Sequence, residues 1–193
     1  GEQVELLKEL QLANEKVTHM RQIIDAQLNR ATTSGLMELL LVRDLVEASL
    51  RLNAAALEAQ NIQIHREFSE APPIATDKHK VLQILVNLVT NAIQAMDKTG
   101  RKDRLLTLRI DLNGQQGIRI SVADNGMGIA PENLSRIFEQ GFTTRKGGHG
   151  LGLHGSALLA GELGGKLSVE SPGLGHGAVF TVELPFKNRS CPP

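Results

Sequence analysis

Two carboxamides stand four residues apart in the stretch Gln83-Ile84-Leu85-Val86-Asn87-Leu88-Val89-Thr90-Asn91-Ala92. On a helix that spacing puts Asn87 and Asn91 on one face. Amides among apolar neighbours need partners, because burying one unpaired costs ~1–3 kcal/mol. Hydrated Mg²⁺ and phosphate oxygens would serve, since magnesium takes oxygen ligands and keeps several waters. A pair of ordinary helix-surface amides is the competing reading. A second stretch, Asp124-Asn125-Gly126-Met127-Gly128-Ile129, follows a strand-like run. An aspartate at a strand end, followed by two glycines, can aim its carboxylate into a cavity while the backbone turns tightly. Such a carboxylate accepts hydrogen bonds from an exocyclic amine and suits adenine better than guanine; the bland reading is a simple turn.

Two more stretches follow in order. Ile137-Phe138-Glu139-Gln140-Gly141-Phe142-Thr143-Thr144-Arg145-Lys146 places two of the chain's five phenylalanines in a polar segment. They suit anchors for a mobile loop, and Thr143, Thr144, Arg145 and Lys146 offer phosphate donors. Gly148-His149-Gly150-Leu151-Gly152-Leu153 then leads into a helix. Its glycines let backbone N–H groups approach an anion, and the helix dipole adds to that. Alone, such a run is weak evidence. It lacks the preceding strand and ribose-binding acid of a dinucleotide fold, and no GxxxxGK[ST] occurs anywhere, so Rossmann and P-loop readings fail.

In this order and spacing the four stretches resemble the histidine kinase catalytic domain of the GHKL ATPase superfamily. They match its N box, first glycine box, F box and second glycine box, and Gly175-His176-Gly177-Ala178-Val179-Phe180 looks like the closing glycine element. The resemblance covers roughly residues 37 to 186. It implies a two-layer α/β sandwich of the α+β class, with ATP held under a lid spanning roughly Gly126 to His149. It also implies that Asn87 and Asn91 hold Mg²⁺ and phosphates, and that Asp124 binds the adenine amino group in a pocket shaped by Gly126 and Gly128. Gly148, Gly150 and Gly152 would lie against the phosphates. Ile129, Phe142, Thr143, Thr144, Lys146, His149, Leu151 and Leu153 complete the implied nucleotide-binding set. Gln94 and Ala178 depart from the family's usual residues.

One position separates chemistries within the superfamily. Its chaperone and mismatch-repair ATPases carry a glutamate where this chain has Asn87, and use it as general base on water. An asparagine cannot take the proton. The resemblance therefore implies phosphoryl transfer to a histidine, with positioning and Mg²⁺ supplying most of the catalysis. A nucleotide-binding signalling module without kinase activity and a GHKL ATPase are the alternatives.

The elements that must position these residues are legible in the periodicity. Leu6, Leu10, Ala13, Val17, Met20 and Ile24 stripe one helix over the first thirty residues, which Thr32-Thr33-Ser34-Gly35 ends. A second helix is expected from Leu39 to Gln60, and a strand over Ile62 to Phe68. Pro72-Pro73 breaks that strand, and Asp77 caps a helix running to about Met96. Strands are expected at Leu105–Leu112 and Gly117–Ala123, joined through Asn113-Gly114. Another helix runs from about Gly152 to Leu163, and strands at Lys166–Glu170 and Ala178–Leu184 close the chain. Without strict βαβ alternation, helices layered on one face of a mixed sheet is the better architecture. Residues 1–34 form a separate unit in this reading, and 35–193 the catalytic one.

Composition removes other classes. Of 193 residues, 21 are Lys or Arg and 21 Asp or Glu, so no net charge draws the chain to nucleic acid or an anionic membrane. Aromatics are 3%, with no Trp or Tyr for base stacking. The single cysteine, Cys191, rules out an internal disulfide and a Cys-based zinc site, and fits a reducing compartment such as the cytoplasm. No run approaches the ~18 apolar residues of a membrane span.

The family's acceptor histidine precedes an acidic residue and, soon after, an Asn- or Thr-Pro. None of the six histidines (His19, His65, His79, His149, His154 and His176) has that context. The N-terminal helix resembles the second helix of the family's dimerisation hairpin, and His19 is the one histidine on it. The expectation is a fragment whose acceptor helix lies outside this chain, consistent with a start at Gly1. It would bind ATP or ADP without autophosphorylating and pair as a homodimer through residues 1–32. Its parent would pass phosphate to an aspartate of a response-regulator receiver domain.

Overall fold

A computed structural model describes residues 37–114, 116–144 and 150–186. The helix expected over the first thirty residues lies outside them. Strand β1 (Met37–Leu40) leads into helices α1 (Val42–Leu52) and α2 (Ala54–Ala59), then β2 (Gln63–Phe68) and β3 (Ile74–Asp77). Helix α3 (Lys78–Asp97) is followed by β4 (Leu105–Leu112), β5 (Gly117–Asp124), a single 3₁₀ turn (Pro131–Asn133), α4 (Gly152–Glu162), β6 (Lys166–Glu170) and β7 (Ala178–Pro185).

Five strands form one mixed sheet in the order β2-β4-β5-β7-β6, in which only β2 and β4 run parallel. The strands alternate in character, so the sheet has one apolar and one polar face. Leu106, Leu108 and Ile110 of β4, Ile118, Ile120 and Val122 of β5, and Phe180, Val182 and Leu184 of β7 are buried in register across it. The opposite face carries an Arg109–Glu67 ion pair, an Arg119–Glu183 ion pair and a Ser121–Thr181 hydroxyl contact. The helices cover the apolar face. Along α3, Val81, Ile84, Leu85, Leu88, Val89, Ala92, Ile93 and Met96 repeat at three and four and are all buried. Asp77 caps this helix as its position predicts, accepting from the N–H groups of His79 (3.0 Å) and Lys80 (3.2 Å).

The helix expected from Leu39 to Gln60 is corrected to a strand and two helices. Residues 37–40 pair antiparallel with β3, a strand not foreseen after the prolines. Asn53 then breaks the helix with φ −103° and ψ 6°. Its Nδ2 donates to the Ser49 carbonyl (2.9 Å), and its Oδ1 accepts from Thr90 Oγ1 on α3 (3.0 Å). An asparagine side chain that bonds nearby backbone competes with helix continuation.

Candidate nucleotide site

Asn87, Asn91 and Ala95 succeed one another at one-turn intervals along α3. At the near end, Asn87 Nδ2 donates to Ser156 Oγ on α4 at 2.8 Å. Asn87 Oδ1 rests against the start of α4, where a Cβ placed on Gly152 would meet it at 2.6 Å. A side chain at position 152 would displace the Asn87 amide. At the far end, the Ala95 carbonyl lies in the last turn of α3, which lacks intrahelical partners, and accepts from the Met127 N–H at 3.1 Å. Asn91, half-buried, sits one turn from each contact. This face of α3 thus runs between the loop after β5 and the beginning of α4.

Asp124 ends β5 opposite Leu106 of β4 and Ala178 of β7, on the apolar face of the sheet. It is buried, with 9% of its surface accessible. Burial pushes its carboxyl up from 3.8 to about 6, partly opposed by the N–H groups of Gly126 and Ala178 that point at it. The Gly126 N–H lies 2.8 Å from Oδ1. The turn beyond it is backed by the segment 171–177: Gly175 N–H donates to the Met127 carbonyl (2.7 Å), Gly177 N–H to Gly126 (3.1 Å), and Ser171 Oγ accepts from Ile129 N–H (3.0 Å). Gly128 has φ +70°, and a Cβ there would run into the Gly173 carbonyl.

Between these parts, Ile137 is buried and Phe138 and Phe142 pack against the core, as anchors should. Arg136 lies over the Phe142 ring, 4.7 Å from its centroid. His154 Nδ1 meets the Phe138 carbonyl at 2.9 Å, so this nitrogen carries the proton. The Gly141 N–H reaches the Gly150 carbonyl at 3.1 Å. Thr143 and Thr144 are exposed, as is Leu151, while Leu153 packs half-buried against the core. Among the described residues no side chain caps α4. Lys146, Gly148 and His149 lie outside the described residues.

The structure therefore brings Asn87 to Gly152, and Asp124 to Gly126, on either side of Asn91. Three contributors escaped the sequence reading. Ser156 is a small residue in a largely apolar helix, and nothing in its spacing marks it. Ala95 contributes through its carbonyl, which no side-chain pattern reveals. Ser171 supports the turn from 42 residues away. A glycine-rich Ser171-to-Gly177 run was the available signal for that support.

Among the described residues no three His, Cys, Asp or Glu side chains cluster to hold a metal. The donors at hand are the amide oxygens of Asn87 and Asn91. Hard oxygen donors, few in number and beside an uncapped helix start, fit a magnesium ion that arrives with phosphates and waters.

Residues 76–188 match the family described as histidine kinase-, DNA gyrase B-, and HSP90-like ATPase. The chain is 35% identical over 149 residues to the sensor histidine kinase ZraS of Salmonella typhi, covering 77% of this chain and 31% of that protein. It therefore spans under a third of that relative's length. Among solved structures, the catalytic domain of histidine kinase ThkA superposes with a TM-score of 0.68 at 27% identity, covering 78% of this chain and 95% of that one. Full-length ShkA in complex with AMPPNP gives 0.75 at 27% identity, covering 100% of this chain and 41% of that one.

Proposed function

The chain belongs to the histidine kinase-, DNA gyrase B-, and HSP90-like ATPase family, and from that premise we propose that it is the catalytic module of a sensor histidine kinase. It transfers the γ-phosphoryl group of Mg-ATP to a histidine carried outside residues 37–186. The observation that carries this reading is the convergence of Asn87 and Gly152 at one end of the α3 face, and of buried Asp124 at the other. Asp124 accepts from the adenine amino group, beside a turn whose close packing requires Gly126 and Gly128. The first turn of α4, with Gly150, Leu151, Gly152 and Leu153, faces the phosphates. Asn87 and Asn91 hold Mg²⁺ through their oxygens. Held there, Mg²⁺ would supply neutralisation of phosphate charge and orientation of the γ-phosphoryl group.

Asn87 decides between the family's chemistries. Its amide cannot accept a proton, and its NH₂ is already committed to Ser156. Water is left without a base there, which favours a nitrogen nucleophile already bearing a lone pair. The N–P bond forms as the bridging P–O bond breaks, and ADP leaves with that electron pair. Dimerisation through residues 1–32, onward transfer to a receiver-domain aspartate and a cytoplasmic location belong to the same proposal. Among the described residues no helix is long and apolar enough to cross a membrane.

The test follows γ-labelled Mg-ATP. Incubated alone, the chain should bind nucleotide and leave the label on ATP. Adding a dimerisation helix bearing its histidine should move label into acid-labile phosphoprotein. Steady release of free phosphate would replace this reading with a hydrolase. Binding without transfer to any histidine helix would leave a signalling module. Acid-labile label on the chain alone would place the acceptor among its own six histidines.

A further inference from the structure

We propose that Ser156 is a positioning residue: it holds the Asn87 carboxamide with its oxygen turned to the phosphate end of the site. The proposal rests on the reading of Asn87 as a ligand of bound magnesium. A carboxamide has an oxygen that accepts and an NH₂ that donates, and the two ends are almost the same size. At a cation site the difference is decisive. The oxygen binds the ion, and the NH₂ repels it. An asparagine serves as a ligand only if something selects between two rotamers related by a half-turn of its amide.

Helix α4 makes that selection at its N-terminus and holds the result one turn on, with a hydroxyl that can donate or accept and here accepts. Ser156 is 3% exposed and receives Asn87 Nδ2 at 2.8 Å. Gly152 begins the helix, and the Asn87 oxygen lies over it. A Cβ built there would sit 2.6 Å from Oδ1 but 3.3 Å from Nδ2. The positive end of the helix dipole favours an oxygen at that place and disfavours an NH₂. The carboxamide is thus gripped with its donor turned inward and its acceptor at the mouth of α4, before any ligand arrives. Ser156 and Asn87 are 69 residues apart in sequence.

Removing the hydroxyl leaves the half-buried NH₂ without its partner. The amide then gains by turning its NH₂ toward the phosphate end, where water or a ligand oxygen can receive it. The cost falls on magnesium-dependent binding and not on adenine recognition, which depends on Asp124 and the turn after β5.

The experiment compares the wild-type chain with Ser156→Ala and Ser156→Thr by calorimetric titration with ATP, once with excess Mg²⁺ and once with a chelator. In Ser156→Ala, affinity should fall about five- to tenfold with Mg²⁺, the scale of one lost buried hydrogen bond, and stay within about twofold without it. Ser156→Thr, which keeps the hydroxyl, should recover most of the loss. A second readout needs no ligand: the Asn87 side-chain NH₂ resonances, assigned by their disappearance in Asn87→Asp, should be slow to exchange in the wild type and fast in Ser156→Ala. Equal losses with and without Mg²⁺ would overturn the proposal in favour of a structural serine. An unaltered Mg²⁺ effect in Ser156→Ala would overturn it while leaving the magnesium reading intact. A wild-type affinity indifferent to Mg²⁺ would overturn both.

Discussion

At the scale of single residues, Asp124 carries a charge where the sheet register calls for a core side chain. Its pairing with Leu106 and Ala178 turns it toward the helices, and burial lifts its carboxyl to about 6. The sign of the consequence differs for folding and for binding. The folded pKa lies above the ordinary 3.8, so the folded state holds this proton more tightly than the unfolded chain. The resulting stability is complete below pH 3.8 and is lost as the pH rises through about 6. Replacing the carboxylate by its neutral isostere in Asp124→Asn should therefore stabilise the empty protein by about 3 kcal/mol at pH 7.5. At pH 3.5 the gain should vanish, and urea unfolding at the two pH values checks it. Binding runs the other way, since the ionised carboxylate is the better acceptor for adenine. Nucleotide affinity measured by titration calorimetry should be flat above pH 7 and weaken about tenfold per unit well below 6. Asp124→Asn should lose affinity at neutral pH and approach the wild type well below 6, so at neutral pH one substitution raises stability while removing function.

At the scale of elements, the contact between α3 and α4 is the most sensitive joint. Gly152→Ala drives a methyl group against Asn87 Oδ1. It should lower Mg-nucleotide affinity at least about tenfold while moving the melting temperature little, because what the methyl displaces is the end of one half-buried side chain. A second joint ties α1, α2 and α3 through Asn53 and Thr90. Asn53→Ala and Thr90→Ala should each cost about 1 kcal/mol, and the double variant less than their sum. Chemical denaturation of the four proteins measures that coupling. These joints also separate what could be read from the sequence from what could not. Helix α3 was legible because its cap at Asp77 and its apolar stripe are local. The break at Asn53 was not, since its partner on α3 is 37 residues away. Strands β1 and β3 are four residues each, and it is their mutual pairing that defines them. Within the site, the residue types of Asn87, Asn91, Asp124, Gly126, Gly128 and Gly152 were plain in the spacing. The burial of Asp124 required the sheet register, and the role of Ser156 required two helices to meet.

At the scale of the whole molecule, one apolar face of a five-stranded sheet is covered by helices, and the site opens along the helix that lies on it. A ligand bound there touches elements from both halves of the described chain, so it stabilises the fold as a unit. Saturating Mg-ATP at one hundred times its dissociation constant should add about 2.7 kcal/mol, read as a raised melting temperature that Asp124→Asn abolishes. The strand order has a further consequence for how the protein is made. Strand β7 is the last of the described strands, yet it lies inside the sheet between β5 and β6. Until it leaves the ribosome, β5 is an open edge, its row of Ile118, Ile120 and Val122 half covered, and Asp124 lacks the neighbour that encloses it. A chain that stalls before Ala178 is therefore a sticky template with no pocket, and nucleotide can reward only a polypeptide that has been synthesised to its final strand.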